Sequence, residues 1–173
     1  MYKLLLVDDE QIIREGLARM IDWEGLGLTL TASCSNALAA LDSMTDDMPD
    51  ILLADVRMPG MDGLELVERA MALHPQLQAI ILSGYDTFQY AQQAIKTGVM
   101  EYLLKPCSQE ELTSALERAC RAVDRQRQHV LHLYGERQAC RRSSSTRPPV
   151  SSCKSRCMPW PSPPRTPACS RAR

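Results

Sequence analysis

Five short, mostly apolar runs alternate with segments whose apolar residues recur at helical spacing, and this alternation confines the chain to a narrow set of folds. The runs are Lys3 to Val7, Leu28 to Cys34, Ile51 to Ala54, Ala79 to Leu82 and Glu101 to Leu104. Runs with so little polar alternation suit strands covered on both faces. After each run comes a stripe. Ile13, Leu17, Met20 and Ile21 make the first, and Ala37, Ala40, Leu41 and Met44 the second. Leu64, Val67 and Met71 make the third, and Phe88, Ala91 and Ile95 the fourth. Leu112, Ala115, Leu116, Ala119 and Val123 make the fifth. Steps of three and four residues put each set on one face of a helix, and core packing accounts for them. Asp62-x-x-Glu65 and Ser108-x-x-Glu111 have the form of capping boxes, and Gly98 stands where a helix C-terminal glycine belongs. Five βα units predict an α/β fold: an open parallel sheet, helices on both faces and right-handed crossovers. Ligands of such sheets bind beyond the carboxyl ends of the strands.

Charge divides the chain. Residues 1–124 carry 9 Lys and Arg against 20 Asp and Glu, a net of −11. Residues 125–173 carry 11 Lys and Arg against the single Glu136, a net of +10. The acidic part is long enough to bury a core. The helical pattern runs on through Arg125 to about Leu133 and then gives way to Pro, Ser and Arg. The expected organisation is a globular domain over 1–124, a helical extension over 125–134 and a disordered basic tail over 135–173. The tail has too few large apolar residues to offset the entropy of ordering it.

Of seven cysteines, Cys34, Cys107 and Cys120 lie in the acidic part, and Cys140, Cys153, Cys157 and Cys169 in the tail. Cys153-x3-Cys157 lacks a His or second Cys pair at zinc-finger distance. An odd count without framework spacing suits a reducing compartment. The N-terminal apolar run is too short for a signal peptide, and no stretch approaches the roughly 18 apolar residues of a membrane span. A cytoplasmic protein without membrane contact is expected.

Polar residues collect at one edge of the predicted sheet. Asp8 and Asp9 end the first strand, Asp55 the third, Ser83 the fourth and Lys105 the fifth. Solvated strand ends would account for one or two of these, not for all on otherwise apolar strands. Three carboxylates in one crevice repel, by about 3 kcal/mol per pair at about 5 Å and an effective dielectric of about 20. A bound cation removes that cost. All-oxygen donors at a site open to water and phosphate favour Mg²⁺ over Ca²⁺. Beside Lys105 and the Ser83 hydroxyl, a carboxylate can act as a nucleophile toward phosphorus.

This set resembles the receiver domain of two-component response regulators over residues 2 to about 124. Leu6-Val7-Asp8-Asp9-Glu10 is similar to the family's acidic pair. Asp55 resembles the phosphoacceptor, followed by Met58-Pro59-Gly60-Met61-Asp62-Gly63. Ser83 matches the Ser/Thr position, and Tyr102-Leu103-Leu104-Lys105-Pro106 the switch aromatic and lysine. The resemblance implies a flavodoxin-like (CheY-like) doubly wound sheet of order 2-1-3-4-5 with five helices. It implies Mg²⁺ ligated by Asp9, Asp55 and the backbone carbonyl of Arg57, with Asp8 acting through water. Lys105 would pair with a phosphoryl group on Asp55, and Ser83 would turn toward it. Tyr102 would swing inward and alter the face of the fourth helix, fifth strand and fifth helix. That face is the expected route to output and to a homodimer. A sensor histidine kinase is the implied partner, and the domain is a phosphoacceptor that catalyses its own phosphorylation and dephosphorylation, not an enzyme in the ordinary sense. The Lys105–Pro106 bond is expected to be cis.

Ile21-Asp22-Trp23-Glu24 and Ser83-Gly84-Tyr85-Asp86-x-Phe88-x-Tyr90-Ala91 further resemble receivers of the YesN-like subgroup, although packing near helix ends accounts for these aromatics equally well. Members of that subgroup usually carry an AraC-type DNA-binding domain and regulate transcription. Nothing after residue 134 is similar to helix-turn-helix, so DNA contact is expected only through a domain that is not present here. Enrichment in Arg, Pro, Ser, Ala and Cys is what a GC-rich gene yields out of frame, and we expect a frameshift near residues 130–140. Translation of the locus in the other two frames checks this: absence of any amphipathic continuation refutes it. Two other readings compete. A haloacid-dehalogenase-like phosphatase needs an Asp two residues after the nucleophile, where this chain has Arg57. A receiver-like module that no longer takes up phosphate is disfavoured by the intact set of Asp8, Asp9, Asp55, Ser83 and Lys105.

Overall fold

The structure, a computed structural model, describes residues 1–84 and 88–143, with side chains through residue 130 apart from those of 88, 89 and 91. Tyr85 and Asp86 of the subgroup likeness, the Phe88 and Ala91 side chains, the side chain of Cys140, and Cys153, Cys157, Trp160 and Cys169 of the tail lie outside the described residues. The chain divides after Leu133, and Met1–Leu133 forms one compact unit.

Strands and helices alternate as the pattern predicts. Their order is β1 (Tyr2–Val7), α1 (Gln11–Met20), β2 (Leu28–Cys34), α2 (Ala37–Asp46), β3 (Ile51–Asp55), α3 (Gly63–Leu73), β4 (Gln78–Ser83), α4 (Phe88–Thr97), β5 (Glu101–Leu104) and α5 (Gln109–Ser143). The five strands form one sheet in the order β2-β1-β3-β4-β5, every pairing parallel. Parallel neighbours need crossover connections, which the helices supply.

Alternation of side chains along each strand builds two cores from one sheet. Leu5, Val7, Leu52, Ala54, Ala79 and Ile81 face α2, α3 and α4. Leu4, Leu6, Ile51, Leu53, Ile80 and Leu82 face α1 and α5. All of β3 is buried, as its central place demands. Each fully buried Leu or Ile contributes about 1.5–3 kcal/mol.

Two expectations need correction. The fourth stripe fails at Ile95, which is 79% exposed; Ala94, at 2%, occupies the inward position instead, with Tyr90 packed on the same core. Helix α4 meets the sheet through a small residue, and the bulkier Ile95 is turned to solvent. Cover on both faces also fails at the edges. Strand β2 is only partly buried along most of its length, and Leu104 of β5 is 43% exposed, because an edge strand has one neighbour.

The caps hold to different degrees. At Ser108 the box is complete: Glu111 N–H donates to Ser108 Oγ (3.1 Å), and Ser108 N–H donates to the Glu111 carboxylate (2.8 Å). At Asp62 the forward half forms, with Glu65 N–H donating at 2.8 Å, while the Glu65 carboxylate instead takes Arg69 at 2.5 Å. Gly98 has φ +82°, and bonds from Gly98 N–H to Ile95 O and Val99 N–H to Ala94 O close α4 as a Schellman motif. No helix among the described residues is long and apolar enough to cross a membrane.

Candidate functional site

The carboxyl edge of the sheet gathers the residues predicted to meet there. Strand β3 ends on Asp55 itself, Asp8 follows β1 by one residue, Lys105 follows β5 by one, and Ser83 is the last residue of β4. In-register pairing of Val7 with Ala54, Asp55 with Leu82 and Ser83 with Leu104 puts these strand ends level.

The Lys105 ammonium sits between two acids. Its Nζ lies 2.7 Å from Asp8 Oδ2 and 2.5 Å from Asp55 Oδ1. Asp8 is 1% exposed and Asp55 8%, so the contacts are largely shielded from water. Burial alone would lower the lysine pKa; hydrogen bonds and charge from Asp55 and Asp8 outweigh it and hold it above the usual lysine value. The remaining carboxylate oxygens are also engaged. Glu10 N–H donates to Asp8 Oδ1 at 2.9 Å, and Arg57 N–H donates to Asp55 Oδ2 at 2.6 Å. Ser83 is fully buried, and its carbonyl accepts from Lys105 N–H at 2.6 Å. The Lys105–Pro106 peptide is cis. Tyr102 is half-buried against the α2–α4 core, as are Tyr90 and Val99.

Asp9 stands apart from this triad. It is exposed and lines a groove of about 350 Å³ with Arg57, Met58, Pro59, Asp62 and Tyr90. Among the described residues, no three Asp, Glu, His or Cys side chains are already drawn together as a cage. The donor set still suits Mg²⁺, which keeps several waters and takes only one or two carboxylates from a protein. Asp9 opening onto a groove that Arg57 also lines fits such a half-built, water-accessible site.

Two residues near Asp55 gain a role that the sequence does not give them: Gly63, which entered only as the end of a motif, and Arg14, which did not enter at all. A Cβ built on Gly63 would lie 2.0 Å from the Asp55 carbonyl oxygen, so only glycine lets α3 start this close to Asp55. Gly63 N–H donates to Val56 O at 2.8 Å across that approach. Arg14 of α1 donates from Nη1 to the Asp8 carbonyl at 2.6 Å.

The comparisons with known proteins agree with this geometry. The family model of the response regulator receiver domain matches residues 4–117. The uncharacterized transcriptional regulatory protein YesN of Bacillus subtilis is 46% identical over 129 residues, covering 75% of this chain and 35% of YesN. The transcriptional regulatory protein HptR of Staphylococcus aureus is 34% identical over 123 residues, 71% of this chain and 48% of HptR. This chain thus spans less than half of either relative. Among solved structures, a two component transcriptional regulator AraC from Clostridium phytofermentans superposes with a TM-score of 0.68 at 34% identity, covering 72% of this chain and 97% of the other. The REC domain of AraT, a response regulator from Geobacillus stearothermophilus, gives 0.64 at 36% identity, with 74% and 97% covered. A five-stranded sheet of order 2-1-3-4-5 with two acids and a lysine at its carboxyl edge, matched along most of its length, makes this chain a member of the response-regulator receiver family.

Proposed function

We propose that the domain accepts a phosphoryl group on Asp55 from a sensor histidine kinase in the cytoplasm. The observation that carries this is the placement of the Lys105 ammonium 2.5 Å from a strand-terminal, largely buried Asp55 that shares it with Asp8. In the step proposed, an Asp55 carboxylate oxygen attacks phosphorus and forms a P–O bond. The P–N bond of the donor phosphohistidine breaks, and the electron pair stays on the imidazole nitrogen, which then takes a proton. Asp55 is aimed for this by Arg57 N–H on one oxygen and by Lys105 on the other. Lys105 is charged and placed to follow the negative charge that arrives. Ser83 ends the strand beside Asp55 and supplies a hydroxyl for the transferred group. Bound Mg²⁺ would neutralise phosphoryl oxygens. Asp9, Asp55 and the Arg57 carbonyl would hold it, with Asp8 acting through water.

The consequence proposed for phosphorylation is an inward turn of Tyr102 and a changed surface on α4, β5 and α5. That surface would carry a homodimer or hand the signal to output. YesN, HptR and the Clostridium protein are named as transcriptional regulators, which supports a transcriptional output in the whole protein. An AraC-type DNA-binding domain would supply it, and residues 135–173 do not read as one. We retain the proposal that these residues follow a frameshift, with 1–124 as receiver; the helical link proposed for 125–134 extends further, since α5 runs to Ser143.

Acetyl phosphate with Mg²⁺ is expected to add one phosphoryl group to this chain, seen by intact mass, and none to Asp55→Asn. Equal uptake by both sinks the assignment of Asp55. No uptake by a folded wild type favours a binding module that has lost phosphorylation.

A further inference from the structure

We propose that Arg14 is a positioning residue for divalent-cation binding: it fixes the peptide unit that carries Asp9. The proposal rests on the receiver reading given above. The Asp8 carbonyl belongs to the Asp8–Asp9 peptide, so whatever holds that oxygen sets the plane from which Asp9 departs. The sheet leaves it open. Strand β1 pairs with β3 only as far as Val7 and Ala54, and the last ladder bond at this end is Asp8 N–H to Cys34 O at 3.1 Å. Arg14 Nη1 reaches the open carbonyl at 2.6 Å, a short, charge-assisted bond from a half-buried side chain.

The rest of the turn depends on this bond. The Asp8 side chain is tied separately, by Glu10 N–H at 2.9 Å and by Lys105 at 2.7 Å. Asp9 itself is exposed on the groove and gains its direction from the backbone before it. Glu10 caps α1 without a side-chain bond, and its carbonyl accepts Ile13 N–H and Arg14 N–H, each at 3.1 Å. Arg14 therefore grows from the first turn of the helix and bonds back to the loop that leads into it. It locks the Asp8–Asp9–Glu10 turn to α1 from outside the acidic cluster.

The charge of Arg14 and its position make opposite predictions. A guanidinium near a cation site repels the cation, so a purely electrostatic role means that removing it tightens Mg²⁺. A positioning role means that removing it weakens Mg²⁺, because Asp9 must be ordered at the moment of binding.

The test is calorimetric titration of the full chain with MgCl₂, for wild type, Arg14→Lys, Arg14→Gln and Arg14→Met, beside phosphoryl uptake from acetyl phosphate over a range of Mg²⁺. We expect Arg14→Met and Arg14→Gln to raise the Mg²⁺ Kd and the half-saturating Mg²⁺ for uptake by about tenfold, the scale of one lost hydrogen bond to a charged donor. Uptake at saturating Mg²⁺ should change less than about twofold, and Arg14→Lys, with one donor kept, should fall between. Unchanged or tighter Mg²⁺ binding in folded variants overturns the proposal and leaves the receiver reading standing. A wild type that binds no Mg²⁺ and takes up no phosphoryl group overturns both. If Arg14→Met melts before titration, Arg14→Lys and Arg14→Gln decide the matter.

Discussion

The two ends of the sheet carry similar ingredients and use them differently. At the amino end each acid meets its own partner. Asp47 pairs with Lys3, Asp50 with Arg127 at 2.7 Å, and Asp124 takes the Tyr2 hydroxyl at 2.6 Å. The Arg127 guanidinium also lies 5.4 Å from the Tyr2 ring centre. Lys3, Asp47 and Arg127 are about half exposed and so partly screened, while the Asp50 side chain, 18% exposed, is balanced by Arg127 and takes a second bond from Lys3 N–H. At the carboxyl end one lysine serves two acids that are almost out of water, with Asp9 close by in sequence. Acids outnumber the lysine there, and the proposed cation site rests on that imbalance. Balance makes the amino end an adhesive; imbalance makes the carboxyl end a site.

The contrast can be broken from either side. Lys105→Met should be the most damaging change, costing about 3 kcal/mol in urea melts, because it leaves two shielded acids without a counter-charge. Added Mg²⁺ should restore part of that loss; a neutral effect would deny the imbalance. Gly63→Ala should cost about 2 kcal/mol, since its methyl meets backbone rather than a yielding side chain. It should also weaken phosphoryl uptake, because the displaced atom is the Asp55 carbonyl. Arg127→Met, at the screened end, should cost less than about 1 kcal/mol and leave uptake unchanged. The smallest effect is a titration. The bond to Asp124, with burial and the same negative charge, pushes the Tyr2 phenol up to about 12. The protonated phenol thus favours the folded state at pH below the usual tyrosine value of about 10, and that contribution fades as pH rises through about 12. Asp124→Asn should bring one tyrosinate absorbance transition back toward 10.

Much of this was legible in the chain. Alternating runs and stripes announced five βα units, because period 2 and period 3.6 follow from backbone geometry alone. Asp8, Asp55, Ser83 and Lys105 could be placed at one edge because parallel strands put all their carboxyl ends together. What escaped depends on distances between backbones. Nothing in Gly63's letter says that the Asp55 carbonyl lies where its Cβ would be, and Arg14 reads as one more polar residue on α1. Ile95 was misassigned for a related reason: Ala94 and Ile95 are adjacent, and apolar character favours the larger, while close helix packing chose the smaller.

Helix α5 runs unbroken from the Ser108 cap, three residues past Lys105, to the amino-edge contacts of Asp124 and Arg127. The sixteen steps from Ser108 to Asp124 span about 24 Å at 1.5 Å each. Mechanically the helix is a strut with an anchor at each end and no joint between them. A displacement imposed at its first turn would be expected to load its far anchor, the bonds to Tyr2 and Asp50.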